Sequence, residues 1–281
     1  MKAMPNALQM PAVQNPRIAV SHRESHSQAI WQDLNGQCMR LPLASLDDGP
    51  VNYRPRWRAS LDMIECNMPV SKRGMKTNDA LYTCGQPCET LHLINSGIFK
   101  IVSLAPDGRE RSADFFFDGD WLGFDGIPTG QHCCTAVALD IGEVWSVHYD
   151  TLIQVAAKVP ALLRHVLTAI SGQLARNRDA ALSMGTLAAD ARVADFLLTW
   201  ANSLAERGRR TDEINVHMSR SDIGAFLGMR LESVSRALTK LAQLGVISFN
   251  ERGRRDISIP DLAALSRFVQ NGSDHSGLVL Q

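Results

Sequence analysis

The chain has 281 residues, 45% of them hydrophobic, and its 29 basic side chains balance its 29 acidic ones. This length allows one large domain or two ordinary ones, and the hydrophobic content is enough for packed cores. No run of about 18 apolar residues occurs, which excludes a membrane-spanning helix, and the N-terminus lacks the apolar segment of a signal peptide. We therefore expect a cytoplasmic globular protein whose cysteines stay reduced.

The N-terminal residues 1–37 are rich in Gln, Asn, Ser, His and Pro and show little hydrophobic order. That composition is typical of a flexible tail.

Short β-prone segments punctuated by glycine follow, from about residue 60 to 150. Alternation at Leu91 and Leu93 predicts strands with one buried face. The even spacing of the segments predicts a small antiparallel barrel or jelly roll. We assign this sensor region to residues 38–150.

A helical pattern then runs from roughly Tyr149 to Leu187, interrupted at Val159-Pro160. After the proline, one stripe of the pattern is apolar and longer than a small barrel would cover. We therefore assign residues 151–187 as a dimerisation helix; the alternative is that the stripe packs on its own barrel. The predicted interface residues are Leu163, Val166, Ile170 and Leu174.

Two shorter amphipathic patterns, hinged at Gly228, occupy residues 219–246. Ser219 and Asp222 have the spacing of a helix cap. The second pattern has an apolar stripe at Leu231, Val234, Leu238, Leu241 and Leu244, and its opposite face carries Glu232, Ser235, Arg236 and Lys240. This arrangement predicts a helix-turn-helix at about residues 220–243, whose second helix enters a DNA major groove. An ordinary helical hairpin with a solvated face is the alternative.

Residues 246–260 read as a β-hairpin, which we call the wing. Across residues 218–255, seven basic side chains stand against three acidic ones, a balance of +4 in a neutral chain. This concentration of positive charge favours DNA contact. We therefore predict a winged helix-turn-helix domain at residues 188–281. Its candidate phosphate contacts are Ser219, Arg220, Arg230, Lys240, Arg252 and Arg254.

The segments LINSGIFKI, FFFDGDWLGFDGI and SRSDIGAFLGMRLESVSRAL resemble the Crp/Fnr family of transcription regulators, particularly its Fnr branch. The resemblance runs from about Cys38 to Phe268. It implies an α+β chain with a cyclic-nucleotide-binding-like β-roll, and a homodimer that binds double-stranded DNA and contacts RNA polymerase. Its most specific element is the E-x-x-S-R recognition helix, which reads palindromes of the TTGAT…ATCAA kind. The matching residues, as candidate base contacts, are Glu232, Ser235 and Arg236.

The family's two best-known effectors fit poorly. Where cyclic-nucleotide-binding members hold the phosphate with a Gly-Glu and an Arg-Ser pair, this chain has Gly123-Phe124 and Cys133-Cys134, which disfavours cyclic AMP. An Fnr-type [4Fe–4S] cluster needs four cysteine ligands. Only Cys38 matches that set, and the β-roll position falls near Trp145, so no such cluster is expected. The cofactor stays unassigned, and the resemblance implies a redox, oxygen or nitrogen-oxide signal.

The remaining grouped thiols are Cys84 with Cys88, and Cys133 with Cys134. Three interpretations stay open: small packing residues, a thiol switch, or a metal or cluster on a rearranged ligand set. For a disulfide, Cys84 with Cys88 is favoured, because a bond between adjacent cysteines is strained. The sequence analysis assigns no metal site.

The sequence contains no H-x-H metal triad, nucleophile elbow or P-loop. We therefore expect a regulator and not an enzyme. A β-roll that binds a small molecule other than cyclic AMP, or a jelly-roll enzyme with an attached DNA-binding domain, remains as an alternative.

Overall fold

A computed structural model describes residues 31–32, 38–39, 56–104, 110–249 and 256–274. The predicted tail therefore lies outside the described residues, apart from strand β1 (Trp31–Gln32), which pairs antiparallel with β2 (Cys38–Met39). The turn predicted at residues 106–110 also lies outside them, except for its last residue.

Two four-stranded antiparallel sheets form the sensor region and confirm the β-roll prediction. Their strand orders are β3-β10-β5-β8 and β4-β9-β6-β7. Large apolar side chains such as Phe99 and Phe116 fill the space between the sheets. In chain order the elements are α1 (Arg56–Asn67), β3 (Ser71–Met75), β4 (Ala80–Tyr82), β5 (Thr90–Ser96), β6 (Phe99–Leu104), β7 (Glu110–Phe116), β8 (Trp121–Leu122), β9 (Thr135–Ala138) and β10 (Gly142–His148).

Helix α1 corrects the expectation of strands from about residue 60. Its Leu61 and Ile64 join Leu91 and Leu93 of β5 in one buried cluster. The prediction of a single buried face on β5 is also wrong, because Leu91 to Ile94 are buried in succession. One face of β5 meets the helices and the other meets the second sheet, so the strand has no solvent-facing side.

Helices α2 (Tyr149–Ala156) and α3 (Pro160–Thr186) follow the β-roll. Pro160 stands at the first position of α3, where its missing N–H leaves no helical hydrogen bond unmade. Leu162, on the first turn of α3, is fully buried against the β-roll and α1. The break predicted at Val159-Pro160 is therefore the junction of two helices.

The C-terminal region is a helical domain with a three-stranded sheet of order β11-β13-β12. The antiparallel pairing of β12 with β13 confirms the wing hairpin, whose residues 250–255 lie outside the described part. Strand β11, absent from the sequence expectations, adds a third strand beside β13. The elements are α4 (Ala189–Ala205), β11 (Glu213–Asn215), α5 (Arg220–Leu227), α6 (Leu231–Gln243), β12 (Ser248–Phe249), β13 (Asp256–Ser258) and α7 (Leu262–Asp274).

The β-roll and the C-terminal domain share one hydrophobic cluster. Phe115 of β7 makes an edge contact with Phe226 of α5 at 4.7 Å, and Phe117 makes one with Trp200 of α4 at 5.0 Å. Next to this cluster, Lys100 of β6 donates to Asp222 of α5 at 2.7 Å. The β-roll thus contacts the first helix of the helix-turn-helix directly.

Candidate nucleic-acid interface and sensor cavity

Helix α5 is fixed at both ends by the residues that the sequence singled out. The Ser219 hydroxyl accepts from the Asp222 N–H at 3.1 Å, and the Asp222 carboxylate accepts from the Ser219 N–H at 3.1 Å, which completes a capping box. Gly228 ends the helix at a φ of 64°, in the left-handed region that favours glycine.

A second glycine fixes the turn between the two helices. A Cβ added to Gly224 of α5 would lie 2.6 Å from the carbonyl oxygen of Met229, closer than side-chain atoms approach backbone oxygens. The Met229 N–H in turn donates to the Gly224 carbonyl at 2.8 Å. The start of α6 is therefore held against α5 by a contact that only glycine allows.

Helix α6 has one buried and one exposed face. The buried face, packed on α4 and α5, consists of Val234, Ala237, Leu238 and Leu241. Two members of the predicted apolar stripe are instead exposed, Leu231 to 46% and Leu244 to 56%. These two residues lie at the ends of the amphipathic run, beyond the central turns that pack against the domain.

The three candidate base contacts lie on the outer face of α6. Glu232 and Arg236 are exposed and stand four residues apart, so their side chains are neighbours on the helix surface. Ser235 is half-buried, and its hydroxyl accepts from Arg220 of α5 at 3.2 Å. The helix-turn-helix thus presents an acid and a guanidinium to solvent, with the serine held at their border.

The candidate phosphate contacts differ in their surroundings. Arg230 is exposed at the N-cap of α6 and makes no side-chain cap hydrogen bond. Arg220 lies over the ring of Phe249 at 5.9 Å, and Lys240 is paired with Asp190 of α4. The Ser219 hydroxyl is engaged in the cap. The remaining two candidates, Arg252 and Arg254, lie outside the described residues.

The predicted dimerisation stripe of α3 is divided in the structure. Leu163 and Leu174 are 44% and 65% exposed, and so is Leu167, at 53%, on the same side of the helix. Ile170 is half-buried between them. Val166 instead packs against the core of its own β-roll. The exposed face, which we call the leucine face, therefore comprises Leu163, Leu167, Ile170 and Leu174.

A cavity of about 320 Å³ lies between the β-roll and α3. Gly123-Phe124 and Cys133-Cys134, the pairs aligned with the family's phosphate-binding positions, all line it. The carboxylates of Asp114 and Asp125 line it too, whereas no Lys or Arg does so among the described residues. A nucleotide phosphate placed here would meet negative charge without a compensating cation.

Asp125, which sequence analysis did not single out, is the centre of a polar cluster on this cavity. One carboxylate oxygen accepts from the Tyr82 hydroxyl at 3.3 Å and lies 3.4 Å from Nδ1 of His132. The other accepts from the Cys133 N–H at 2.9 Å and from the Cys134 thiol at 3.1 Å. Tyr82 and His132 stack at 3.7 Å, which fixes both side chains beside the carboxylate.

The charge state of this cluster follows from its burial and hydrogen bonds. Burial would raise the pKa of Asp125, but hydrogen bonds from the Cys134 thiol and the Cys133 N–H outweigh it and hold the pKa below its usual value. Burial, together with the Asp125 carboxylate, raises the pKa of both Cys133 and Cys134. Both groups are therefore thiols near neutral pH, which disfavours them as fast targets of peroxide, since the thiolate is the nucleophile.

The other thiol pair lies in a loop tied to the neighbouring segment. Backbone hydrogen bonds join Gly85 to His132 at 2.8 Å and Cys88 to Gly130 at 2.9 Å. The Cys88 thiol faces inward, 3.4 Å from the Gly123 carbonyl, while Cys84 is exposed. Both cysteines are free. The disulfide favoured from sequence would require Cys88 to leave its inward position.

Comparison with known proteins places this architecture in a family. A model of the Crp-like helix-turn-helix domain matches residues 191–268, and a model of the cyclic nucleotide-binding domain matches residues 72–159. The fumarate and nitrate reduction regulatory protein of Yersinia pestis is 30% identical over 211 residues, 75% of this chain and 83% of that protein. The chain belongs to the Crp/Fnr family of transcription regulators.

Other Crp/Fnr relatives agree with this assignment. The anaerobic regulatory protein of Haemophilus influenzae is 30% identical over 205 residues, which are 73% of this chain and 78% of that protein. The structure of FixK2 from Bradyrhizobium japonicum is 28% identical, with a TM-score of 0.63 over 72% of this chain and 98% of that one.

The family assignment confirms a DNA-binding transcription regulator, and its relatives are regulators and not enzymes. Within the described part of the chain, no helix combines the length and apolar character needed to cross a membrane.

Proposed function

We propose that this regulator binds an Fnr-like palindrome of the TTGAT…ATCAA kind through the outer face of α6. The exposed pair Glu232 and Arg236, on a helix fixed by a cap and a glycine contact, carries this proposal. The Arg236 guanidinium matches O6 and N7 of guanine, and the Glu232 carboxylate accepts from an exocyclic amine. Ser235, at the border of this face, contacts the neighbouring thymine region.

The same proposal includes a homodimer formed through the leucine face of α3. Leaving Leu163, Leu167 and Leu174 in water is unfavourable by roughly 1.5–3 kcal/mol for each side chain that a partner would bury. Pairing with a second copy covers these side chains. It also places two recognition helices one DNA turn apart, as a palindrome requires.

Phosphate contacts complete the proposed interface. Arg230, exposed at the start of α6, and Arg220, beside Ser235, flank the base-reading pair. Lys240 serves as a third contact once it leaves Asp190, and the wing adds Arg252 and Arg254. The further protein partner is RNA polymerase, and binding takes place in the cytoplasm.

For the signal, we propose a redox, oxygen or nitrogen-oxide-related input that does not use cyclic AMP or an Fnr-type [4Fe–4S] cluster. The acidic lining of the cavity supports the first exclusion. At the cluster's β-roll position, Trp145 is buried and its ring N–H donates to Glu143 at 2.7 Å. The second candidate is a small uncharged or cationic molecule in the 320 Å³ cavity, which the absence of basic lining residues favours.

Selection from a random duplex library tests the DNA-binding proposal. The protein should enrich a palindrome with TTGAT and ATCAA half-sites, and Arg236→Ala should enrich a motif relaxed at one base of each half-site. Arg267→Ala, on exposed α7, is the matched control and should select the parent motif. Enrichment of an unrelated motif by the parent protein would contradict the proposal.

Anaerobic purification tests the proposed signal. We expect no stoichiometric iron or sulfide and no cysteinate-to-iron absorption band, and operator binding that persists in air. Stoichiometric iron with that band would overturn the exclusion of a cluster. If iron is absent and binding is identical with dithiothreitol and with peroxide, the thiol switch is excluded and a small ligand remains.

A further inference from the structure

The sensor cavity contains a set of donor atoms that DNA recognition does not use. A carboxylate oxygen of Asp125 and the sulfurs of Cys133 and Cys134 all lie within 4.8 Å of one another. Two thiols and a carboxylate are ligands that zinc accepts. The three residues also line the 320 Å³ cavity, so their donor atoms border open space and not solid core.

Local backbone conformation explains why two adjacent cysteines reach one point. In a strand, successive side chains point to opposite faces. Cys133 and Cys134 instead lie in a bend just before β9, which turns both sulfurs toward the same carboxylate. Cys134 is buried and Cys133 is exposed, so the pair spans the wall between the cavity and solvent.

The carboxylate is fixed before any ligand arrives. Tyr82 and the N–H of Cys133 hold its two oxygens, and His132 stacks on Tyr82. The short turn that carries Asp125 is also fixed, because a Cβ on Gly126 would lie 2.4 Å from the Cβ of Cys88. Hydrogen-bonded carboxylates of this kind are typical of metal sites, where the outer partners orient the ligand.

We propose that Asp125, Cys133 and Cys134 bind a thiophilic divalent cation, Zn²⁺, in the sensor cavity. Tetrahedral Zn²⁺ with bonds of about 2.0–2.3 Å separates its ligand atoms by about 3.5–3.8 Å. The exposed Cys133 side chain closes the observed spread by about 1 Å through rotation. The two sulfurs favour Zn²⁺ over Mg²⁺ or Ca²⁺, which prefer all-oxygen sites.

Three protein ligands leave the fourth position of Zn²⁺ to water or a small ligand. The cavity is lined on its far side by Gln173, Asn177 and Met184 of α3, so a bound ion lies beside the proposed dimerisation helix. The inference concerns metal binding alone, and its failure would leave the proposed DNA recognition untouched.

Cobalt substitution in the reduced, chelator-treated full-length protein tests the site. We expect one Co²⁺ per chain, a thiolate-to-cobalt charge-transfer band, and displacement of that band by Zn²⁺. Histidines elsewhere in the chain, such as His22 and His26, would bind Co²⁺ without producing this band. A parent protein without the band would overturn the proposal.

Substitutions locate the ion. Cys133→Ser, at an exposed position, should reduce the charge-transfer band by about half and weaken Zn²⁺ binding at least about tenfold. Asp125→Asn should weaken Zn²⁺ binding by a similar factor and keep the band. Cys66→Ser and Cys84→Ser, also at exposed cysteines, are the matched controls and should bind like the parent. Loss of the band in Cys84→Ser, or an unchanged band and Zn²⁺ affinity in Cys133→Ser, would overturn the assignment.

Discussion

Helices α3 and α6 are both amphipathic, but they expose opposite chemistry. Helix α6 exposes Glu232 and Arg236 and buries its central apolar side chains against α4 and α5. Helix α3 instead leaves Leu163, Leu167 and Leu174 between 44% and 65% exposed. A polar outer face suits DNA or water, whereas an apolar outer face suits a protein partner. The exposed side of each helix therefore indicates its partner better than the buried side does.

The largest expected effect comes from giving α3 a charge like those of α6. Ile170→Glu places a carboxylate on the leucine face in both copies, which opposes dimerisation by about 3 kcal/mol or more. Operator affinity should fall about 100-fold, with monomers in sedimentation. Thr168→Glu, exposed on another side of α3, is the control and should remain dimeric. A dimeric Ile170→Glu protein with parental affinity would assign the leucine face another role.

Removing the guanidinium from α6 should have the next largest effect. Arg236→Ala should weaken binding to the palindrome by about 1–3 kcal/mol, since a bidentate contact to guanine discriminates by that amount. Fluorescence anisotropy on duplexes substituted at each position should show relaxed preference at one base per half-site. Parental affinity in this variant would remove α6 as the reading helix.

The positioning of α6 is tested by a pair of glycine substitutions with opposite expected signs. Gly224→Ala should lower the free energy of unfolding by about 1–3 kcal/mol, because its Cβ would lie 2.6 Å from the Met229 oxygen. Gly172→Ala, in α3, has its nearest atom at 3.7 Å and should raise stability by up to about 1 kcal/mol. Denaturant unfolding of both variants measures this, and equal effects would contradict the close-contact argument.

The smallest expected effect concerns Lys240, which faces Asp190 in the absence of DNA. Lys240→Ala should weaken binding less than about tenfold and reduce the salt slope of log K by roughly 0.9, the value for one phosphate contact. The loss should be equal on specific and unrelated duplexes. A loss confined to the palindrome would instead make Lys240 a base-reading residue.

The sequence was sufficient for α6 because its chemistry lies on one helix. The spacing of Ser219 with Asp222, and of Glu232 with Arg236, can be read within a few residues. The sequence was less informative for Leu167 and Val166, since both fit an apolar stripe and only the position of the β-roll decides which one is covered.

The sensor cluster shows where reading the sequence reaches its limit. Tyr82 and Asp125 are 43 residues apart and meet only because the two sheets fold together. Cys133 and Cys134 were visible as a pair, but a strand would have pointed them apart, and the bend before β9 is not encoded by an obvious turn signal. Asp125 was missed because a single aspartate near a glycine turn is a common surface feature.

The central claim, that two copies read one palindrome through α6, is tested most directly by the stoichiometry and sequence dependence of DNA binding. Titrating labelled duplexes with the protein above the dissociation constant should give two chains per TTGAT…ATCAA duplex. Scrambling either half-site should then weaken binding by several kcal/mol at fixed salt. One chain per duplex, or equal affinity for the intact and scrambled sites, would contradict the account.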